Sequence, residues 1–114
     1  IEAVAESFLF ASKSGADPAR VREALMGGFA SSRVLEVHGE RMIKGTFEPG
    51  FRISLHQKDL NLALENARLL NTPLPNTATT QQLFSACAAL GGKEWDHSAL
   101  IRALETQANF TIRK

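Results

Sequence analysis

The chain has 114 residues, 44% of them hydrophobic, which is enough for one domain with a real core but small for a dinucleotide-dependent enzyme. Its formal charge of +1, with no run of Lys or Arg, argues against a nucleic-acid or acidic-membrane partner. A single cysteine, Cys87, excludes an intrachain disulfide.

Helical signals dominate from the start. Ile1, Val4, Ala5, Phe8, Leu9 and Ala11 form an apolar stripe that stops near Gly15. The first residues read as the interior of a helix, with no start Met and no signal-peptide n-region, so the chain is expected to be a piece of something longer. Such an apolar helix wants a partner surface, on another subunit or another domain. Asp17-Pro18 restarts the helix, Asp as cap and Pro at the first position, and Gly27-Gly28 ends it. Ser31 or Ser32 caps a third helix carrying Val34, Leu35, Val37, Met42 and Ile43, with an interruption at Gly39 and an end at Gly45.

A Pro-Gly loop then leads into a long helix. Leu60, Ala63, Leu64, Ala67 and Leu70 recur on one face, while His56, Gln57, Lys58 and Asp59 lie near its start, at the mouth of a cleft. The stretch Asn71 to Asn76 breaks the helix. Another runs from about Pro75 to Leu90 and stops at Gly91-Gly92. Asp96 caps a last helix with Leu100, Ile101 and Leu104 on one face, and the tail from Phe110 to Lys114 is expected to fray. The fold class is therefore all-α: a compact array of about six helices over residues 1–114.

Most candidate chemistry dissolves on inspection. The 3 histidines, His38, His56 and His97, fall on separate helices with no metal-ligand spacing, so no metal site is expected. Asp96-His97-Ser98 superficially evokes a triad, but sequence neighbours do not face one another on a helix, and Asp96 reads as a cap. Cys87 lies in the apolar run Leu83 to Leu90 and reads as a buried thiol. Gly27-Gly28 and Gly91-Gly92 follow no strand, and no G-x-G-x-x-G is present, so no dinucleotide-binding motif lies in these residues. No apolar run is long enough to span a bilayer. What remains is an ammonium, Lys58, beside a carboxylate, Asp59, at a helix start, an arrangement suited to an anionic substrate or a cofactor.

The segment Lys58-Asp59-Leu60-Asn61-Leu62-Ala63-Leu64-Glu65, preceded by Phe47-Glu48-Pro49-Gly50-Phe51-Arg52-Ile53-Ser54-Leu55-His56, resembles the cofactor-contacting motif K-D-L-G-x-A-x-D of the β-hydroxyacid dehydrogenases. Asn61 and Glu65 depart from that pattern and leave the Lys-Asp pair intact. Ala16-Asp17-Pro18, Ala24-Leu25-Met26-Gly27-Gly28, Ser32-x-Val34-Leu35 and Leu74-Pro75-x-Thr77-Ala78 extend the resemblance over nearly the whole chain. Their wording, with the Pro-Gly-Phe-Arg-Ile-x-Leu-His loop, is similar to the tartronate semialdehyde reductase branch rather than the 3-hydroxyisobutyrate branch.

The resemblance implies a C-terminal helical domain, like that of 6-phosphogluconate dehydrogenase, that closes over substrate and NAD or NADP. The dinucleotide would be held mainly by an N-terminal Rossmann domain absent from this chain. It implies that Lys58 contacts the cofactor and that Phe51 and Asp59 line the substrate site; Arg52 and His56 are weaker candidates. The catalytic lysine belongs to a G-x-G-x-x-x-K motif upstream of Ile1, so this chain holds no catalytic residue and is expected to be inactive alone. A homodimer or homotetramer in the cytoplasm is implied as well. The alternatives are a 3-hydroxyisobutyrate-type domain and a non-catalytic helical interaction domain.

Overall fold

The computed structural model describes residues 1–113, and the helix starts expected at Asp17-Pro18, Ser32 and Pro75 each have a side-chain cap or a proline behind them. The helices are α1 (Glu2–Lys13), α2 (Pro18–Met26), α3 (Arg33–Lys44), α4 (Ile53–Leu69), α5 (Pro75–Ala89) and α6 (Ile101–Ala108), with no strand among the described residues. Asp17 accepts the Ala19 amide at 2.8 Å and Pro18 opens α2. Ser32, not Ser31, caps α3 through the Leu35 amide at 3.0 Å. Such a cap is worth about 1 kcal/mol because it satisfies an amide that the helix cannot.

Helix α3 runs through Gly39 without the expected break. A side chain there would place its Cβ 3.2 Å from the Phe8 ring, so glycine lets α3 lie against α1 at little cost to the helix. The helix ends at Gly45, whose φ of +70° turns the chain in the left-handed region.

One apolar core joins α1, α3, α5 and α6. Phe8, Met42, Phe84, Leu100 and Ile101 are fully buried in it, together with Ile53 from the start of α4. Cys87 is sealed in the same core, its thiol against the carbonyls of Ala99 and Leu100, and burial pushes its pKa up. It is the inert thiol the sequence indicated.

Helix α4 is amphipathic to a lesser degree than its spacing implies. Ala67 is buried and Leu60 and Leu64 are half-buried, but Ala63 is exposed and Leu70 is 73% exposed. Helix α4 packs against α5, and its start also meets the 96–100 region. Two helices cannot enclose a whole stripe, and the molecule measures 43 × 33 × 25 Å as a result. Leu62, Leu69, Leu70 and Leu74 on this hairpin, with Phe10 on α1, leave substantial apolar surface exposed.

Two elements near the C-terminus differ from expectation. Asp96 does cap, but the chain first makes a 3₁₀ turn (His97–Leu100) before α6 begins. The tail is pinned rather than frayed: buried Glu105 accepts the Ile112 amide at 3.0 Å, the Thr111 hydroxyl at 3.1 Å and the Arg113 guanidinium at 2.6 Å. Arg113 also donates to the Met42 carbonyl and lies over the Phe47 ring at 5.6 Å. Ile112 is consequently buried in the core. Lys114, the last residue of the expected tail, lies outside the described residues.

Candidate functional site

The loop from Phe47 to Arg52 is fixed by main-chain bonds to the segment from Lys93 to His97. Asp96 N donates to the Phe47 carbonyl at 2.9 Å, His97 N to Phe51 O at 2.8 Å, Ile53 N to Trp95 O at 2.9 Å and Ser54 N to Lys93 O at 3.0 Å. This pairing supplies the partners that a helix start cannot find within itself. It also aims the first turns of α4 at one edge of the molecule.

Asp96 is the centre of that pairing and is 1% exposed. Its Oδ2 accepts the amides of Gly50 at 2.9 Å and Phe51 at 3.1 Å and meets the Arg41 guanidinium at 3.1 Å. Its Oδ1 accepts the Ser98 amide at 3.0 Å and the Ser98 hydroxyl at 2.6 Å. Burial by itself would raise the carboxyl pKa, but the bonds from Ser98, Phe51 and Gly50 outweigh it and hold the group down at about 2. Asp96 is therefore an anion at every physiological pH. Ser98 is buried against it and spends its hydroxyl hydrogen on the carboxylate, with none of the geometry of a nucleophile.

The histidines, scattered in sequence, are gathered in space. His56 Nδ1 lies 2.9 Å from His97 Nδ1, His97 Nε2 lies 3.2 Å from His38 Nε2, and His38 Nδ1 lies 3.9 Å from Asp96 Oδ1. One chain of imidazoles thus runs from the buried carboxylate that caps the 3₁₀ turn, through His38 on α3 and His97 on that turn, to His56 in the first turn of α4. All three rings are held below the usual histidine pKa, first by desolvation; for His97 the value falls to about 4, with His38 adding to the effect. They are neutral at pH 7 and can bond to one another without like-charge repulsion. No pattern in the sequence announced this, because the contacts span 41 and 59 residues. The usable signal was the number of histidines, two of them set beside a helix start or cap.

His38, Asp96 and His97 are residue types that hold a metal ion, with ligand atoms within 4.8 Å of one another. The surroundings suit a cation poorly. The carboxylate's lone pairs are already taken by amides and a hydroxyl, and the Arg41 guanidinium sits 3.1 Å from it.

Phe51, Lys58 and Asp59 lie at the end of the imidazole chain. The Phe51 ring is tilted over His97 at 5.3 Å and edge-on to His56 at 6.0 Å, and it is 36% exposed. His56 in turn packs on Phe84 at 4.7 Å. Lys58 pairs with Asp59 at 3.3 Å, and both are largely exposed. Asp59 also acts on His56 electrostatically, favouring its charged form against the stronger effect of burial. His56 makes no hydrogen bond to Asp59; its Nδ1 meets His97. Arg52 points away from the group and pairs with Glu94 at 2.9 Å. The structure therefore brings Phe51, His56, Lys58 and Asp59 to one open edge. Among the described residues the ammonium pairs with Asp59 alone, and at 63% exposure it can take a second anion or a polar amide or ribose oxygen.

Comparisons with known proteins bear on the family of the chain. The chain is 72% identical over 112 residues to the 2-hydroxy-3-oxopropionate reductase of Escherichia coli (strain K12), covering 98% of this chain and 38% of that protein. It is 32% identical over 108 residues to a probable 3-hydroxyisobutyrate dehydrogenase-like protein of Arabidopsis thaliana, covering 95% of this chain and 32% of that one. The crystal structure of a 3-hydroxyisobutyrate dehydrogenase from Salmonella typhimurium superposes with a TM-score of 0.84 at 25% identity, over 89% of this chain and 35% of that one. The chain thus spans about a third of the length of these relatives. Residues 1–104 match the family described as NAD-binding of NADP-dependent 3-hydroxyisobutyrate dehydrogenase, and the chain belongs to that family.

Proposed function

We propose that this chain is the closing helical domain of a NAD(P)-dependent β-hydroxyacid dehydrogenase that interconverts tartronate semialdehyde (2-hydroxy-3-oxopropionate) and glycerate. The observation that carries this reading is the 72% identity, over 98% of the chain, to a 2-hydroxy-3-oxopropionate reductase. The remaining domain of such an enzyme, a Rossmann domain at its N-terminal side, would hold most of the dinucleotide and contribute the lysine that acts as general acid. The 114-residue chain alone is accordingly expected to turn over nothing.

The residues at the open edge fit the nicotinamide end of the cofactor. Lys58 offers an exposed ammonium already steered by Asp59, and Phe51 offers an aromatic wall beside it. When bound, the nicotinamide gives or takes the hydride. Lys58 would hold a polar oxygen of the cofactor, Asp59 would orient Lys58 and face the substrate, and Phe51 would exclude water from the reacting carbon. The exposed apolar side chains of α1 and of the α4–α5 hairpin support burial against the N-terminal domain or a second subunit, in a homodimer or homotetramer. No described helix is long and apolar enough to cross a membrane, and we place the enzyme in the cytoplasm.

A second reading, a 3-hydroxyisobutyrate dehydrogenase, is favoured by the family description and by the structural neighbour. A substrate panel on the full-length protein separates the two. Oxidation of NADH or NADPH by 2-hydroxy-3-oxopropionate in clear preference to 2-methyl-3-oxopropionate supports the first reading; the reverse preference supports the second. No oxidation with either substrate overturns both.

A further inference from the structure

The two semialdehydes differ at one place: a hydroxyl or a methyl on the carbon between the carboxylate and the aldehyde. A protein group able to accept a hydrogen bond there would distinguish them, since a methyl leaves the acceptor unpaired. The imidazole chain builds such an acceptor.

Each neutral imidazole carries one N–H, and each contact between two rings needs one donor and one acceptor. That leaves two arrangements. In one, His38 donates from Nε2 to His97, His97 donates from Nδ1 to His56, and His38 Nδ1 is bare. In the other, His38 Nδ1 carries the hydrogen, His97 donates from Nε2 to His38, and His56 donates from Nδ1 to His97. The choice falls on His38 Nδ1, which is sealed from solvent with no hydrogen-bond partner. Its nearest anion is Asp96 Oδ1 at 3.9 Å. A bare lone pair aimed at a buried carboxylate is repelled; an N–H is attracted, even at a distance too long for a hydrogen bond. Arg41, the neighbouring cation, sits on the other carboxylate oxygen. Asp96 therefore selects the second arrangement. Its last member, His56, spends its only hydrogen on His97 and is left with a bare Nε2. That nitrogen makes no hydrogen bond among the described residues and, unlike His38 Nδ1, is not sealed from solvent. It lies on the ring that touches Phe51, one turn before Asp59.

We propose that His56 is a specificity-determining residue whose Nε2 accepts the hydrogen of a substrate hydroxyl, and that Asp96, His38 and His97 are positioning residues that hold it in the accepting tautomer. The proposal rests on the reductase reading above. The depressed pKa of His56 supports it, because only the neutral ring keeps the lone pair.

The test uses the full-length protein. Long-range nitrogen–hydrogen correlation spectra of the histidine-labelled wild type, without substrate, are expected to show hydrogen on Nδ1 of His56 and His38 and on Nε2 of His97. In kinetics, His56→Phe should lower the preference for 2-hydroxy- over 2-methyl-3-oxopropionate by at least about tenfold, and His56→Gln, which restores an acceptor, should recover part of it. Phe has the aromatic neighbours His56 has, so folding is checked by unfolding each variant alongside wild type. Hydrogen on Nε2 of His56 overturns the proposal whatever the kinetics, and so does an unchanged preference in a folded His56→Phe protein or, if the Phe variant does not fold, in His56→Leu, which also lacks an acceptor. A wild type that reduces neither substrate overturns the reductase reading, and the proposal with it; the spectra, read without substrate, keep that failure distinct from a wrong tautomer.

Discussion

His97 Nε2 lies 3.2 Å from Nε2 of His38, which stands 59 residues earlier in the chain. The contact ties α3 to the 3₁₀ turn and, through His56, to the start of α4, where Lys58 and Asp59 are displayed. The edge proposed to face the cofactor is thereby braced from the core by a polar chain rather than by apolar packing alone. Such a chain specifies geometry because each member has few ways of satisfying its neighbour.

Replacing Lys58 by Ala in the full-length protein is expected to raise the cofactor KM or lower turnover by roughly ten- to a hundredfold, the effect of losing one charged contact of about 1.5–3 kcal/mol. Its unfolding midpoint should hardly move, because the side chain is 63% exposed and its pairing with Asp59 contributes little stability. Steady-state kinetics with each dinucleotide check this. Wild-type constants in the variant would remove Lys58 from the site.

Phe51→Ala is expected to impair substrate use more than cofactor binding. The ring is in contact with two imidazoles and closes the edge next to them. The comparison to make is kcat/KM for the semialdehyde against the Kd of the dinucleotide in the same variant. Equal losses in both would assign Phe51 a general packing role.

Asp96→Ala should cost about 3–5 kcal/mol of stability, read from urea unfolding. The change leaves the amides of Gly50, Phe51 and Ser98 without acceptors and the Arg41 guanidinium without its carboxylate. Those groups hold the Phe47–Arg52 loop, so any remaining folded protein should also lose substrate discrimination. A cost under about 1 kcal/mol would mean the loop is held by other contacts.

Acid should begin to destabilise the fold above the range where carboxylates titrate. His97 has a pKa of about 4 in the folded chain against an ordinary 6.5. Between those values the unfolded chain binds more protons than the folded one, so stability is present above pH 6.5 and is lost as the pH falls through 4. His38 and His56 shift in the same direction. Asp96, held at about 2 against 3.8, adds a second loss below that window. After allowance for solvent at its partly exposed edge, His97 contributes roughly 2 kcal/mol. Unfolding free energies measured from pH 7 to 4 test this, with His97→Gln expected to flatten the profile. A wild type whose stability stays constant over that range would contradict it.

The sequence by itself determined the helices, because their causes are local. Asp17-Pro18, Ser32 and Gly45 act within a few residues of themselves, and a cap or a left-handed glycine needs no distant partner. It also determined the inert thiol, since an apolar run of helical period around Cys87 is buried in almost any packing. The wording of Lys58-Asp59-Leu60 carried the family. Only the tertiary structure decided what Gly39 is for, because the need for a missing Cβ comes from Phe8 on another helix. The same holds for the tail, which is held by Glu105 and covered by the core rather than frayed. It holds most of all for Asp96 and the histidines. A cap is legible from its own segment, but a carboxylate that binds Gly50 and Phe51 from 46 and 45 residues away is not. Hydrogen bonds between imidazoles need ring nitrogens about 3 Å apart, and only packing of α3, α4 and the 3₁₀ turn around one core sets that distance.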